Sequence, residues 1–239
     1  MLVVSFFQGG AADSRQHGIA ARADRMLRNG MNRYQWSLIL ILVLAAAMSC
    51  IAPPYPGELW LQHSATALVV IGLPIVSRWW PLSNASLTCI VAFMLLHVLG
   101  ARYIYSCVPY DEWCYGLLGW RPTERYGWTR NHYDRLVHFA FGAFWLLPFW
   151  EISTRHLHVP RRAGWIYALA LVMASSLLYE LFEWFLALAL SPESAEAYNG
   201  QQGDMFDAQK DMALAVLGSL VAMPIGWVFG TCDKGSVRP

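Results

Sequence analysis

Apolar residues run along this chain in long blocks, with polar residues gathered between them. Six blocks approach or reach the ~20 residues that a bilayer-spanning helix needs. They fall at roughly 35–52, 60–78, 86–108, 133–152, 164–190 and 208–230. Strands are shorter and alternate, and surface helices of soluble domains keep a polar face, so neither pattern fits. The second block is the weakest, because His63 and Pro74 interrupt it. The pattern predicts an all-α, polytopic membrane helical bundle with about six transmembrane helices. Its domain covers 35–230. Residues 1–34 form an N-terminal tail, disordered or an upstream mis-start with Met26 and Met31 as alternative starts, and 231–239 form a short C-terminal tail. No internal repeat of 20–50 residues appears.

Composition strengthens this picture. Of the 239 residues, 56% are apolar and 14% charged, where soluble domains carry about 25% charged residues. The 12 Trp and 11 Tyr suit interfacial belts. "WCYGLLGW" and "YGWTRNHY" read as an amphipathic loop lying at the interface.

Charge sets the expected topology. Arg15, Arg22, Arg25, Arg28 and Arg33 precede the first span; Arg78 ends the second; Arg155, Arg161 and Arg162 follow the fourth; Lys234 and Arg238 follow the sixth. With six spans these all fall on one side, which the positive-inside rule makes cytoplasmic for both termini. The loops 109–132 and 191–207 then face outward. Cys107 and Cys114 lie on that outer side and form a disulfide candidate, free thiols being the alternative.

The polar residues within the spans gather at similar depth. Asp134 and His138 are four apart at the start of span four, hence on one helix face. Glu180 and Glu183 share a face of span five; Asp204, Asp207 and Asp211 form a stripe entering span six; His97, Arg102 and Tyr103 lie late in span three. Ionisable groups at membrane depth face the bundle interior, paired or in a wet cavity. Capping explains an Asp at a helix start, and Arg102 or Arg135 serves equally as a structural ion-pair partner. Capping does not explain Glu180 with Glu183, mid-helix among apolar neighbours; two carboxylates there need a cation, a proton or an arginine. The expected site is an outward-facing pocket. Glu180, Glu183, Asp207 and Asp211 are its metal ligands, His138 oriented by Asp134 its catalytic group, and His97, Arg102, Tyr103 and Asp204 its other lining residues. Mixed oxygen and imidazole donors suit a divalent metal, Mg²⁺, Mn²⁺, Fe²⁺ or Zn²⁺.

"HVLGARYIYSCVPY", "RNHYDRLVHFAFG", "YELFEW" and "GDMFDAQKDMALAVLG" together resemble the YjdF-type family of bacterial inner-membrane proteins, over roughly residues 35–230. More distantly, the order Asp134, His138, Glu180 or Glu183, Asp207, Asp211 and Gly218 is similar to the VanZ-like family, which is linked to glycopeptide-antibiotic resistance. This chain departs from that pattern in a longer 191–203 loop and in Glu-x-x-Glu. The resemblance implies a multi-pass protein of the bacterial inner membrane and supplies no reaction. Three functions stay open: a metal-dependent enzyme acting on a lipid or envelope precursor, a proton- or cation-coupled transporter, and a non-catalytic assembly protein with a structural cation site. Membrane lipids are the expected partners. A P-loop, a GxGxxG after a strand and a large basic patch are all missing, so no nucleic acid and no nucleotide cofactor is expected.

Overall fold

The computed structural model describes residues 30–232, and every described element is helical. Expectations for residues 1–29 and 233–239, including the alternative start at Met26, lie outside the described residues. The helices are α1 (Arg33–Ser49), α2 (Pro56–Val76), α3 (Asn84–Tyr103), α4 (Tyr110–Leu118), α5 (Pro122–Tyr126), α6 (Tyr133–Glu151), α7 (Arg161–Ala189), α8 (Pro192–Asn199) and α9 (Asp207–Cys232). A 3₁₀ turn, Tyr105–Cys107, follows α3, and a π turn, Ile152–His156, extends α6.

Five segments are long and apolar enough to cross a membrane: Pro56–Val76, Asn84–Tyr103, Tyr133–His156, Arg161–Ala189 and Asp207–Gly226. The sixth, α1, is apolar but has 17 residues, the short end of the spanning range. It starts at a capping box, in which Asn32 accepts from the Gln35 backbone at 3.0 Å and Gln35 accepts from the Asn32 backbone at 3.2 Å. The expected weakness at 60–78 does not break the helix. Pro74 is carried within α2, and His63 is satisfied by Ser49 of α1 at 2.7 Å and Thr66 at 3.2 Å.

The bundle is organised around α6, which packs on α3, α7 and, most extensively, α9. Small residues make that last contact. A β-carbon on Gly142 would lie 1.8 Å from the Ala215 carbonyl oxygen, and one on Gly218 would lie 2.0 Å from that of Phe139. Ser219 locks the crossing by donating to the Gly142 and Ala215 carbonyls, each at 3.1 Å. Close backbone approach through Gly, Ala and Ser is how helices associate where burial of apolar surface gives no drive between them.

Span three ends earlier than expected, at Tyr103, because Ile104 takes a positive φ of 47° and turns the chain back. Tyr105 then folds under α3, where Gly100 leaves room: a β-carbon there would meet the Tyr105 ring at 2.8 Å. Two expected pocket residues at the end of α3 have other partners. Arg102 instead binds the carbonyls of Ser49 at 2.7 Å and Ile51 at 3.0 Å, satisfying the C-terminus of α1. Tyr103 packs edge-on against Trp113 of α4. Neither reaches the site.

The loop 109–132, which includes the short helices α4 and α5, exposes Trp113, Tyr115, Leu117, Leu118, Trp120, Tyr126 and Trp128, the surface an interfacial segment presents. The disulfide candidate is corrected: Cys107 and Cys114 are free thiols. Cys107 ends the 3₁₀ turn, where its thiol bonds the Tyr55 hydroxyl, while Cys114 belongs to the separate helix α4.

Candidate functional site

The polar groups lie at the bundle end where α6 and α9 begin and α7 finishes. The Gly142 and Gly218 contacts sit about two turns below Asp134 and Asp211, so the close helix crossing also fixes these two carboxylates side by side. His138 lies one turn below Asp134. One donor atom from each of Asp134, His138 and Asp211 lies within 4.8 Å of the others, and all three residues are buried. His138 faces carboxylates on both edges of its ring: Nε2 is 3.6 Å from Asp134 Oδ1, and Nδ1 is 3.8 Å from Glu180 Oε1. These separations exceed hydrogen bonds. Asp211 Oδ1, Glu180 Oε1 and Ser176 Oγ are buried without a partner. Glu183 lies one turn further along α7, bonded to Tyr179 and interacting with Glu180.

Arginines cover this cluster. Arg130, from the loop before α6, has a side chain only 8% exposed and binds Asp207 Oδ1 directly; it lies 3.6 Å from Asp204. Arg135 binds Asp204 directly and lies 3.4 Å from Asp207. Lys210 adds a 2.6 Å contact to Asp204. Arg130 also donates to the carbonyls of Gly200 at 3.2 Å and Gln201 at 3.1 Å, and Asn131 and Gln202 bond reciprocally at 2.8 and 3.1 Å. The 199–204 loop is thereby fastened over the start of α6. The Lys210 ammonium, together with the Phe206 backbone and Arg135, holds the Asp204 carboxyl well below the usual carboxylate range. His132 is held below its usual value, first by burial and then by Arg135 and Arg130.

Charge separates the two layers. Three cations meet two carboxylates, Asp204 and Asp207, in the lid. Beneath it Asp134, Glu180, Glu183 and Asp211 have one imidazole among them. Buried carboxyls in that ratio require protons or a cation.

A cavity of about 230 Å³ lies against the cluster on the side away from α9. Asp134, His138, His97 and Tyr105 form its polar end; Phe93, Met94, Val137, Phe141 and Leu68 are among its apolar walls. His97 is held by Tyr105 at 2.5 Å and by the Gln62 carbonyl at 3.1 Å.

Of the expected site residues, the structure brings together Asp134, His138, Glu180 and Asp211, with Glu183 and His97 adjacent. Asp204 and Asp207 form the lid, so the expected outward-facing pocket is roofed. Asp204 also accepts from the Phe206 backbone at 3.1 Å, a turn that precedes α9 rather than the helix cap weighed for it. Asp134 makes no cap: it is buried in the first turn of α6. Sequence reasoning missed Arg130, Gln202 and Trp145. The excess of carboxylates at one end was the available signal for Arg130, since such an excess demands cations nearby.

No solved structure matches the chain. It is 33% identical over 166 residues to the inner membrane protein YjdF of Escherichia coli (strain K12), covering 69% of this chain and 75% of that protein. Residues 34–231 match the family described as Predicted membrane protein (DUF2238), and the chain is therefore an integral membrane protein of this YjdF-type family.

Proposed function

We propose that Asp134, His138 and Asp211 hold a divalent metal ion, and that the protein is a membrane-embedded enzyme using it on a lipid or lipid-linked envelope precursor. The observation that carries this is the buried triad, in which Asp211 keeps one buried oxygen without a hydrogen-bond partner. One donor atom from each residue already lies within 4.8 Å of the other two, and the three side chains would have to draw closer to hold an ion with bonds of about 2.0–2.2 Å. His138 Nε2, nearer Asp134, would ligate. Nδ1–H then points to Glu180, whose carboxylate orients the ring and raises its basicity, as outer partners of metal-bound histidines do. Mixed N/O donors suit Mg²⁺, Mn²⁺, Fe²⁺ or Zn²⁺. Such an ion supplies Lewis acidity or an activated water. Glu183 and Asp207 stand outside the triad, Asp207 because Arg130 and Arg135 occupy its carboxylate. The arginine bias supports cytoplasmic termini, and the relative's description as an inner membrane protein supports that membrane; in this reading the lid faces outward.

Elemental analysis of the detergent-purified protein tests the ion. About one equivalent is expected, together with a melting temperature raised by that ion. No bound metal, and no response to any of the four, would sink the reading.

A further inference from the structure

The cavity beside the cluster has one side that the metal does not use. Ala65 and Leu68 of α2 line it opposite Ser175 and Tyr179 of α7. Yet α2 and α7 are not among the helix pairs that pack together; α8 touches both and bridges them at the lid end. Leu68 is 74% exposed at this gap. The lid closes the polar end towards water, while the gap lies along two membrane-spanning segments and faces the hydrocarbon. Inside, the wall runs from apolar Val69 and Phe93 to the polar end at His138, with Ser176 Oγ and Trp145 Nε1 buried and unpartnered.

We propose that the acyl chain of a membrane phospholipid enters laterally between α2 and α7, its polar end towards Asp134 and His138. Phospholipid is the occupant because its acyl chains are the bulk solvent at that opening, so mass action favours it. The inference rests on the enzyme reading for what happens at the polar end, and on the cavity alone for the chain.

The test uses the full chain in vesicles of phosphatidylethanolamine and phosphatidylglycerol, with a trace of phosphatidylglycerol bearing a diazirine midway along one acyl chain. Bulk lipid labels outward residues such as Ile166 (71% exposed) but cannot reach Val137, which is 5% exposed. After photolysis the α6 peptide containing Val137 and Phe141 is expected to carry label. Ser175→Trp should narrow the gap and reduce that label at least fivefold, leaving Ile166 labelling unchanged. Ala65→Phe serves from the other wall if the first variant does not fold. Label confined to outward residues, or α6 label indifferent to both variants, overturns the proposal. Two readouts separate the readings: α6 label that persists after a chelator has stripped the metal stands on the cavity alone, and stoichiometric metal in untreated protein whose α6 stays unlabelled keeps the metal reading without the chain.

Discussion

Gly142 of α6 and Ala215 of α9 touch through their backbones: a β-carbon on Gly142 would fall 1.8 Å from the Ala215 carbonyl oxygen. Backbone cannot yield as a flexible side chain can. Gly142→Val should therefore cost well over the 1–3 kcal/mol of ordinary overpacking, roughly enough to prevent folding, and Gly218→Val should act alike. Gly116→Ala on α4, where a β-carbon meets nothing within 4 Å, should leave the melting temperature unchanged. Thermal melts in detergent read all three, and a stable Gly142→Val protein would refute this crossing.

The same crossing sets which substitutions empty the proposed metal site. Asp211→Asn and His138→Ala should each abolish stoichiometric metal. Glu180→Gln, which removes the partner of His138 Nδ1, should weaken affinity about 10–100-fold. Asp207→Asn should have a smaller effect on affinity, since its carboxylate is already bound by Arg130. Titration of apo-protein with the metal found in the wild type ranks them; Asp207 ranking above Asp211 would transfer the ligand role to the lid.

Acid should open the lid. Asp204 is held below the usual carboxylate range, so its contribution to the lid is complete above about pH 4 and is lost as pH falls through its lower folded value. Hydrogen-exchange protection of residues 199–206, taken relative to the free-peptide rate at each pH, should thus be high at neutral pH and fall only in acid. Arg130→Gln should lower it already at neutral pH. Undiminished protection in that variant would mean that the loop does not depend on the arginine.

Cys107 and Cys114 should both alkylate without reductant in denaturant, and mass spectrometry should find no peptide joining them. A linked peptide would restore the bridge that the structure lacks.

The helical spans were legible because each is a long apolar run, and their ends moved by a few residues where local chemistry intervened, as at Ile104. Asp134, His138, Glu180 and Asp211 were legible as a group because charge is rare in spans and helical spacing fixes depth. Depth does not fix azimuth. Which of Asp207 and Asp211 faces His138 depends on how Gly142 meets Ala215 and Gly218 meets Phe139 across the helices, contacts that spacing within one helix cannot report. Arg102 and Tyr103 were misplaced for the same reason: spacing within α3 gives their depth and not their partners, which are the α1 carbonyls and Trp113.

Glu151 is a buried carboxylate with a different task. It lies at the other end of α6, 17 residues and about 25 Å from Asp134, and is 2% exposed. It accepts from the Ser83 backbone at 2.8 Å, the Ser83 hydroxyl at 2.7 Å and the Ser86 hydroxyl, and pairs with Arg155 at 2.6 Å. Every contact is thus to the N-terminus of α3 or to its own helix, where a negative charge is favoured by the helix dipole. Glu151→Ala would leave the Ser86 hydroxyl and a backbone N–H without their acceptor, while half-exposed Arg155 regains water. Hydrogen bonds to charged groups contribute about 1.5–3 kcal/mol each, and several are lost together, so a loss of about 3 kcal/mol or more is expected, read as a clear fall in melting temperature. The folded fraction should still bind metal with wild-type stoichiometry and keep its acyl-chain label on α6. Asp211→Asn should show the opposite pattern: metal and the stabilisation it brings are gone, while the metal-free protein is as stable as metal-free wild type or more so, because one unpaired buried charge disappears. If Glu151→Ala instead emptied the metal site in protein that remained folded, the two ends of α6 would be coupled, and the assignment of Glu151 to the anchoring of α3 would fail.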